Sequence, residues 1–277
     1  TIGTAQGGDG KSSGSGNGGN GIYSKTMEIL GGIIQKAIGG NANGNTCTGG
    51  SGIHSDGTLT ISGGQIQEAT GGDSNGNGGK GGTGIRGDQV VNISGGIIES
   101  ATGGSGDSGG GAGIGTGAKP AFATEINISD GTITEAIGGS GGAGIGSGAN
   151  SSKATTINIS GEAFIQKATG GTGGAGIGGG KNSSGETKVN ITGGKVNAST
   201  GYGNGGAGIG SGESAKGETH VTIRNASVST LESSDTYTST SGAGIGTGYA
   251  SSSNADITIT DSTVKAVGGS GAAKTRS

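Results

Sequence analysis

The chain has 277 residues, of which 75 are glycine, 27% are hydrophobic and 2% are aromatic, and its formal net charge is -3. This inventory excludes a thick-cored globule, and one proline without glycine at every third place excludes a collagen helix. Slight acidity without a basic, aromatic-studded patch excludes a nucleic-acid surface, and no apolar run is long enough to span a membrane.

Repetition overrules the disorder that such a composition alone would suggest. Thr1 to Gly21 reads TIGTAQGGDGKSSGSGNGGNG and parallels Ile66 to Gly84, so the chain opens on the last arc of a turn. A glycine-isoleucine phrase then recurs at Ile22, Ile53, Ile85, Ile114, Ile145, Ile177, Ile209 and Ile245, at intervals of 31, 32, 29, 31, 32, 32 and 36 residues. Behind it come aliphatic pairs separated by one polar residue: Leu59/Ile61, Val91/Ile93, Ile126/Ile128, Ile157/Ile159, Val189/Ile191, Val221/Ile223 and Ile257/Ile259. Such alternation reads as a strand with one buried face. A third aliphatic position (Ile34, Ile66, Ile98, Ile133, Ile165, Val196, Val228, Val264) closes each unit before a glycine turn.

Three short strands per unit predict an all-β fold over residues 1–277, a single domain. It is a right-handed parallel β-helix, a solenoid of about eight coils of roughly 31 residues, its hand taken from the rule for parallel crossovers. Both ends break off inside a repeat, which predicts that the domain is excised from a longer repeat protein. The single cysteine, Cys47, rules out an internal disulfide.

Outward positions should stack as well. Asn92, Asn127, Asn158 and Asn190 occupy equivalent places and predict an amide ladder, with Lys36 over Glu68 and Glu135 over Lys167. The strand repeat also accounts for the N-x-Ser/Thr matches at these asparagines and at Asn197 and Asn225. Length varies on either side of glycine-isoleucine, and these glycine-rich runs are expected to form loops along one edge, where solenoids often bind.

No carboxylates group with a base, so catalysis is not expected, and His54 and His220 read as structural or solvent-facing. Asp, Asn and Gly runs offer oxygen donors to a hard cation. Asp56, Asp73 and Asp88 are the expected calcium ligands, with Asp9 and Asp107 as lesser candidates. Tyr202, His220, Glu232, Tyr237 and Tyr249 fall late in the chain and form the expected ligand-binding patch, since sugar sites favour a flat aromatic.

The phrase GIHSDGTLTISGGQI, Gly52 to Ile66, with a weaker copy at Gly84-Ile85-Arg86-Gly87-Asp88, resembles a family of clostridial cell-surface carbohydrate-binding proteins. The GGAGIGSG phrases from Gly113 onward are similar to repeats of large Gram-positive surface proteins. The resemblance implies a pectate-lyase-like shape, bound calcium, and binding of acidic plant polysaccharide without cleavage. The expectation is therefore a secreted or cell-wall-attached, non-catalytic adhesin or carbohydrate-binding β-helix. Its partners would be a polysaccharide, or a glycan or protein on a host or neighbouring cell, with no nucleic acid and no membrane insertion. A purely structural stalk and a polysaccharide lyase or hydrolase are the alternatives.

Overall fold

The computed structural model of the chain describes residues 1–11, 16–201, 205–231 and 242–269. The described residues contain strands and no helix, wound as a parallel β-solenoid of about eight turns. At roughly 4.8 Å per turn the stack rises about 40 Å.

The two sheets follow from the repeated phrases. Each glycine-isoleucine phrase adds one short strand to an eight-stranded sheet, and Ile22, Ile53, Ile85, Ile114, Ile145, Ile177, Ile209 and Ile245 lie over one another in register. The aliphatic pairs and the third aliphatic position build a second sheet of fifteen strands. In two coils these two phrases run together as single strands, Val90–Thr102 and Thr124–Ile137. An alanine row, Ala37, Ala69, Ala101, Ala136, Ala168 and Ala198, completes the interior. The core is a column one side chain deep, repeated at each level, which is how a chain so poor in apolar residues excludes water.

The expected outward ladders form. Asn127 Nδ2 donates to Asn92 Oδ1 at 3.0 Å, Asn158 to Asn127 at 2.8 Å and Asn190 to Asn158 at 2.9 Å. Lys36 pairs with Glu68 at 2.9 Å and Lys167 with Glu135 at 2.8 Å. A further ladder was not foreseen. Asp9 Oδ1 accepts the Asn41 amide N–H, Asn41 Oδ1 that of Asp73, Asp73 Oδ1 that of Ser105, and Ser105 Oγ that of Ser140.

The glycine runs depart most from expectation. They are not simply loose edge loops: the glycines flanking each loop are packed into the body. Backbone hydrogen bonds pass from residue to residue through Gly8, Gly19, Gly40, Gly50, Gly72, Gly82, Gly104, Gly111, Gly139, Gly142, Gly171 and Gly174, at 2.7 to 3.1 Å. The outgoing and returning arms of successive loops thus alternate along one spine. From Gly40 onward no side chain fits there, since a Cβ on Gly82 would fall on the Gly50 carbonyl oxygen and one on Gly72 on that of Gly40.

These contacts rank substitutions. Ile159 is fully buried, so Ile159→Ala should cost about 2–5 kcal/mol in denaturant melts, and Ile159→Asp should abolish the cooperative transition of its neighbouring coils. A Cβ at Gly72 has no room, whereas one at Gly8 meets nothing within 4 Å. Gly72→Ala should therefore lower the melting temperature by several degrees, while Gly8→Ala leaves it unchanged or slightly raised. Equal effects of the two would refute the packed spine.

Candidate functional site

The residue after each repeated isoleucine decides where side-chain chemistry can sit in the eight-stranded sheet. In the first three coils it is Tyr23, His54 and Arg86, stacked in register on Ile22–Ser24, Ile53–Ser55 and Ile85–Gly87. In the next five it is Gly115, Gly146, Gly178, Gly210 and Gly246, with φ between 133° and 140°. Side chains rarely adopt that backbone conformation, and a Cβ on Gly146 would also strike the Gly178 carbonyl. This row therefore presents functional groups in its first three coils only.

Two carboxylates meet that row. Asp56 and Asp88 occupy equivalent places in successive coils, their N–H groups donating to Ser24 and Ser55 carbonyls at 3.2 and 3.0 Å. His54 Nε2 stands 3.3 Å from Asp88 Oδ1 and 3.7 Å from Asp56 Oδ1. Arg86 Nε donates to Asp88 Oδ1 at 2.6 Å, and the Tyr23 hydroxyl donates to Asp56 Oδ2 at 2.5 Å. The Tyr23 ring leans over His54, with centroids 5.5 Å apart and planes at 53°. His54 is nearly enclosed, whereas Tyr23 is about half exposed at 54%.

Hydrogen bonding sets the imidazole tautomer. The Ser51 N–H donates to Asn20 Oδ1 at 2.8 Å, which turns the Asn20 amide nitrogen toward His54 Nδ1 at 3.2 Å. Nδ1 therefore accepts, and the proton of the neutral ring lies on Nε2, facing Asp88. Burial works against ionising Asp88, but the hydrogen bond from His54 and the charge of Arg86 outweigh it and hold the carboxyl below its ordinary range. The hydrogen bond to Asp56, assisted by desolvation and by the charges of Asp56 and Asp88, raises the Tyr23 phenol.

Of the expected calcium ligands, the structure brings Asp56 and Asp88 together and places Asp73 in the backbone-capping ladder with Asp9. The missed member is His54. Its signal was the shared Ile-x-x-Asp spacing of GIHSDG and GIRGDQ, with His54 two residues before the first acid. Of the expected C-terminal patch, the described residues include only His220 and Tyr249. Tyr202, Glu232 and Tyr237 lie outside them. His220 engages Asp256 at 3.3 Å and Glu186 and Glu218 at 3.5 Å each. Tyr249, half exposed, is held through its backbone to Gly205 and Ser214. No hydrogen bond, ion pair or ring contact joins Tyr249 to His220.

Calcium prefers six to eight oxygen ligands. The cluster offers two carboxylates and an imidazole nitrogen, at most four oxygens, short of the six calcium needs. That donor set does not fit calcium.

Against known proteins the chain matches no family, no curated protein and no solved structure. No match supports the resemblance to clostridial surface carbohydrate-binding proteins; what is shown is a parallel β-solenoid of about eight turns. Among the described residues no helix is long and apolar enough to cross a membrane.

The lowered Asp88 value has a stability consequence. A carboxyl whose folded-state pKa lies below its unfolded value, near 3.8, stabilises the fold above that value and loses the contribution as pH falls through the folded one. In chelator-treated protein, Asp88→Asn should melt below wild type at pH 7, and the gap should close as the pH drops below about 3.8. A gap that stays constant down to pH 2 would show that the Asp88 charge contributes nothing.

Proposed function

We propose that the chain is a non-catalytic, surface-displayed β-solenoid that binds carbohydrate through its first three coils. The observation that carries this reading is the half-exposed Tyr23 ring beside fixed polar groups: its hydroxyl is tied to Asp56, and its row continues through His54 to Arg86. An aromatic face with convergent, pre-oriented donors and acceptors is the usual chemistry for holding a hydroxyl-rich ligand. On this reading Tyr23, rather than the C-terminal tyrosines, carries the ligand, and the rod serves to hold that face rigid and away from its point of attachment. Display outside the cell, attached to the wall or secreted, accords with the polar ladders that cover the solenoid.

A purely structural stalk is the second reading. It is favoured by the completeness of the hydrogen-bonding inside the cluster, where Tyr23, His54, Arg86, Asp56 and Asp88 already have partners. A glycan array probed with and without calcium separates the two. Binding that weakens about tenfold or more in Tyr23→Ala, and persists in Tyr249→Ala and His220→Ala, is the expected result. Binding lost in Tyr249→Ala instead would return the site to the C-terminal coils. Silence of folded protein on all neutral and acidic glycans would leave the stalk.

A further inference from the structure

We propose that His54, Asp56 and Asp88 form a binding site for one divalent transition-metal ion of the zinc class. The inference goes beyond carbohydrate binding and does not depend on it.

Geometry carries the argument. Ligand atoms of the three residues lie within 4.8 Å of one another. On a tetrahedral zinc ion, with bonds of about 2.0–2.1 Å, neighbouring ligand atoms stand about 3.3–3.4 Å apart. His54 Nε2 lies 3.3 Å from Asp88 Oδ1 and 3.7 Å from Asp56 Oδ1, so two edges of that tetrahedron are nearly in place before any ion arrives. One nitrogen and two carboxylate oxygens leave a fourth position for water or an outside ligand, the arrangement of an open zinc site. The backbone is fixed independently of the metal. His54 lies in a paired strand, and Asp56 and Asp88 are anchored by their N–H groups one coil apart. Burial is graded to match, with His54 and Asp88 side chains 11% and 16% exposed and Asp56 open at 44%.

Two neighbours modulate the site. Arg86 donates to Asp88 Oδ1 from outside; a carboxylate oxygen has two lone pairs, so the contact orients the ligand while its charge lowers affinity. Asn20 acts as a brake. Zinc at Nε2 takes the lone pair made available when the ring proton moves to Nδ1, and Nδ1–H then faces the Asn20 amide nitrogen, another donor. Asn20 must turn and give up one hydrogen bond, a cost of about tenfold in affinity. An aspartate at position 20 would accept from both the Ser51 N–H and Nδ1–H. This is the carboxylate–histidine–metal arrangement known to strengthen such ligands.

The test is zinc titration of the full chain by calorimetry after chelator treatment, repeated with calcium, together with the visible spectrum of the cobalt-loaded protein. The expected result is one zinc per chain and an intense tetrahedral cobalt band. Calcium should not compete. Affinity should fall at least tenfold in His54→Ala and in Asp56→Asn, the latter at an exposed position that tolerates change, and should rise about tenfold in Asn20→Asp. Melting curves taken without metal establish that each variant is folded. No zinc uptake by the wild type, or zinc binding that survives His54→Ala and disappears in His220→Ala, overturns the proposal. So does an Asn20→Asp variant that is folded but binds zinc no better than wild type. No glycan is present in these measurements, so their failure leaves the carbohydrate reading to its own test.

Discussion

The axial distance between successive coils governs this molecule. Parallel strands of one coil must lie at hydrogen-bonding distance, about 4.8 Å, from those of the next, and each loop must send two arms back through that same interval. Where the outgoing and returning arms meet, four backbones crowd into the height that two strands would occupy, and there is no volume for a Cβ. The glycine spine, closed to any side chain from Gly40 to Gly174, is the result. Many of the 75 glycines are therefore a packing material, chosen for small size, rather than markers of flexibility. The spine also frees the loop tips to vary in length, since only their bases are constrained.

Much of the fold was legible because a solenoid writes its core at fixed intervals. The isoleucine after glycine, the aliphatic pairs and the third aliphatic position each specify one interior row, and the side chains chosen from spacing are buried except in the first and last coils, where Ile22, Ile245 and Val264 are half-buried and Ile257 and Ile259 are exposed. The Asn92 to Asn190 ladder could be read for the same reason. The spine could not, because glycine carries no pattern of its own: a run such as GGDSNGNGGKGG has the same composition whether it is a solvated loop or two packed arms. The second ladder stayed hidden because Asp9, Asn41, Asp73 and Ser105 differ in type, although all supply one oxygen to the N–H above.

The candidate site was half legible. Asp56 and Asp88 announced themselves as acids at equivalent places, but the residue that joins them, His54, looked isolated because its partners are 34 residues away or on the far side of a turn. Tyr23 was visible only as one of four tyrosines. Stacking by one coil turns these distant positions into immediate neighbours, and the change to glycine from Gly115 onward confines the resulting chemistry to one end of the rod. A repeat protein that repeats its core faithfully while breaking its surface row once has separated the part that holds it together from the part that meets other molecules.

The spine has an electrical consequence. Every one of its hydrogen bonds runs the same way, each N–H pointing back to the carbonyl of the preceding glycine. In the flanking strands, successive carbonyls alternate in direction and their dipoles largely cancel. The file of glycine peptides does not cancel: it adds head to tail, as the peptide units of an α-helix do. A solenoid without a single described helix thus carries a helix-like macrodipole along its axis, with its positive pole at the end bearing Tyr23, His54 and the two aspartates.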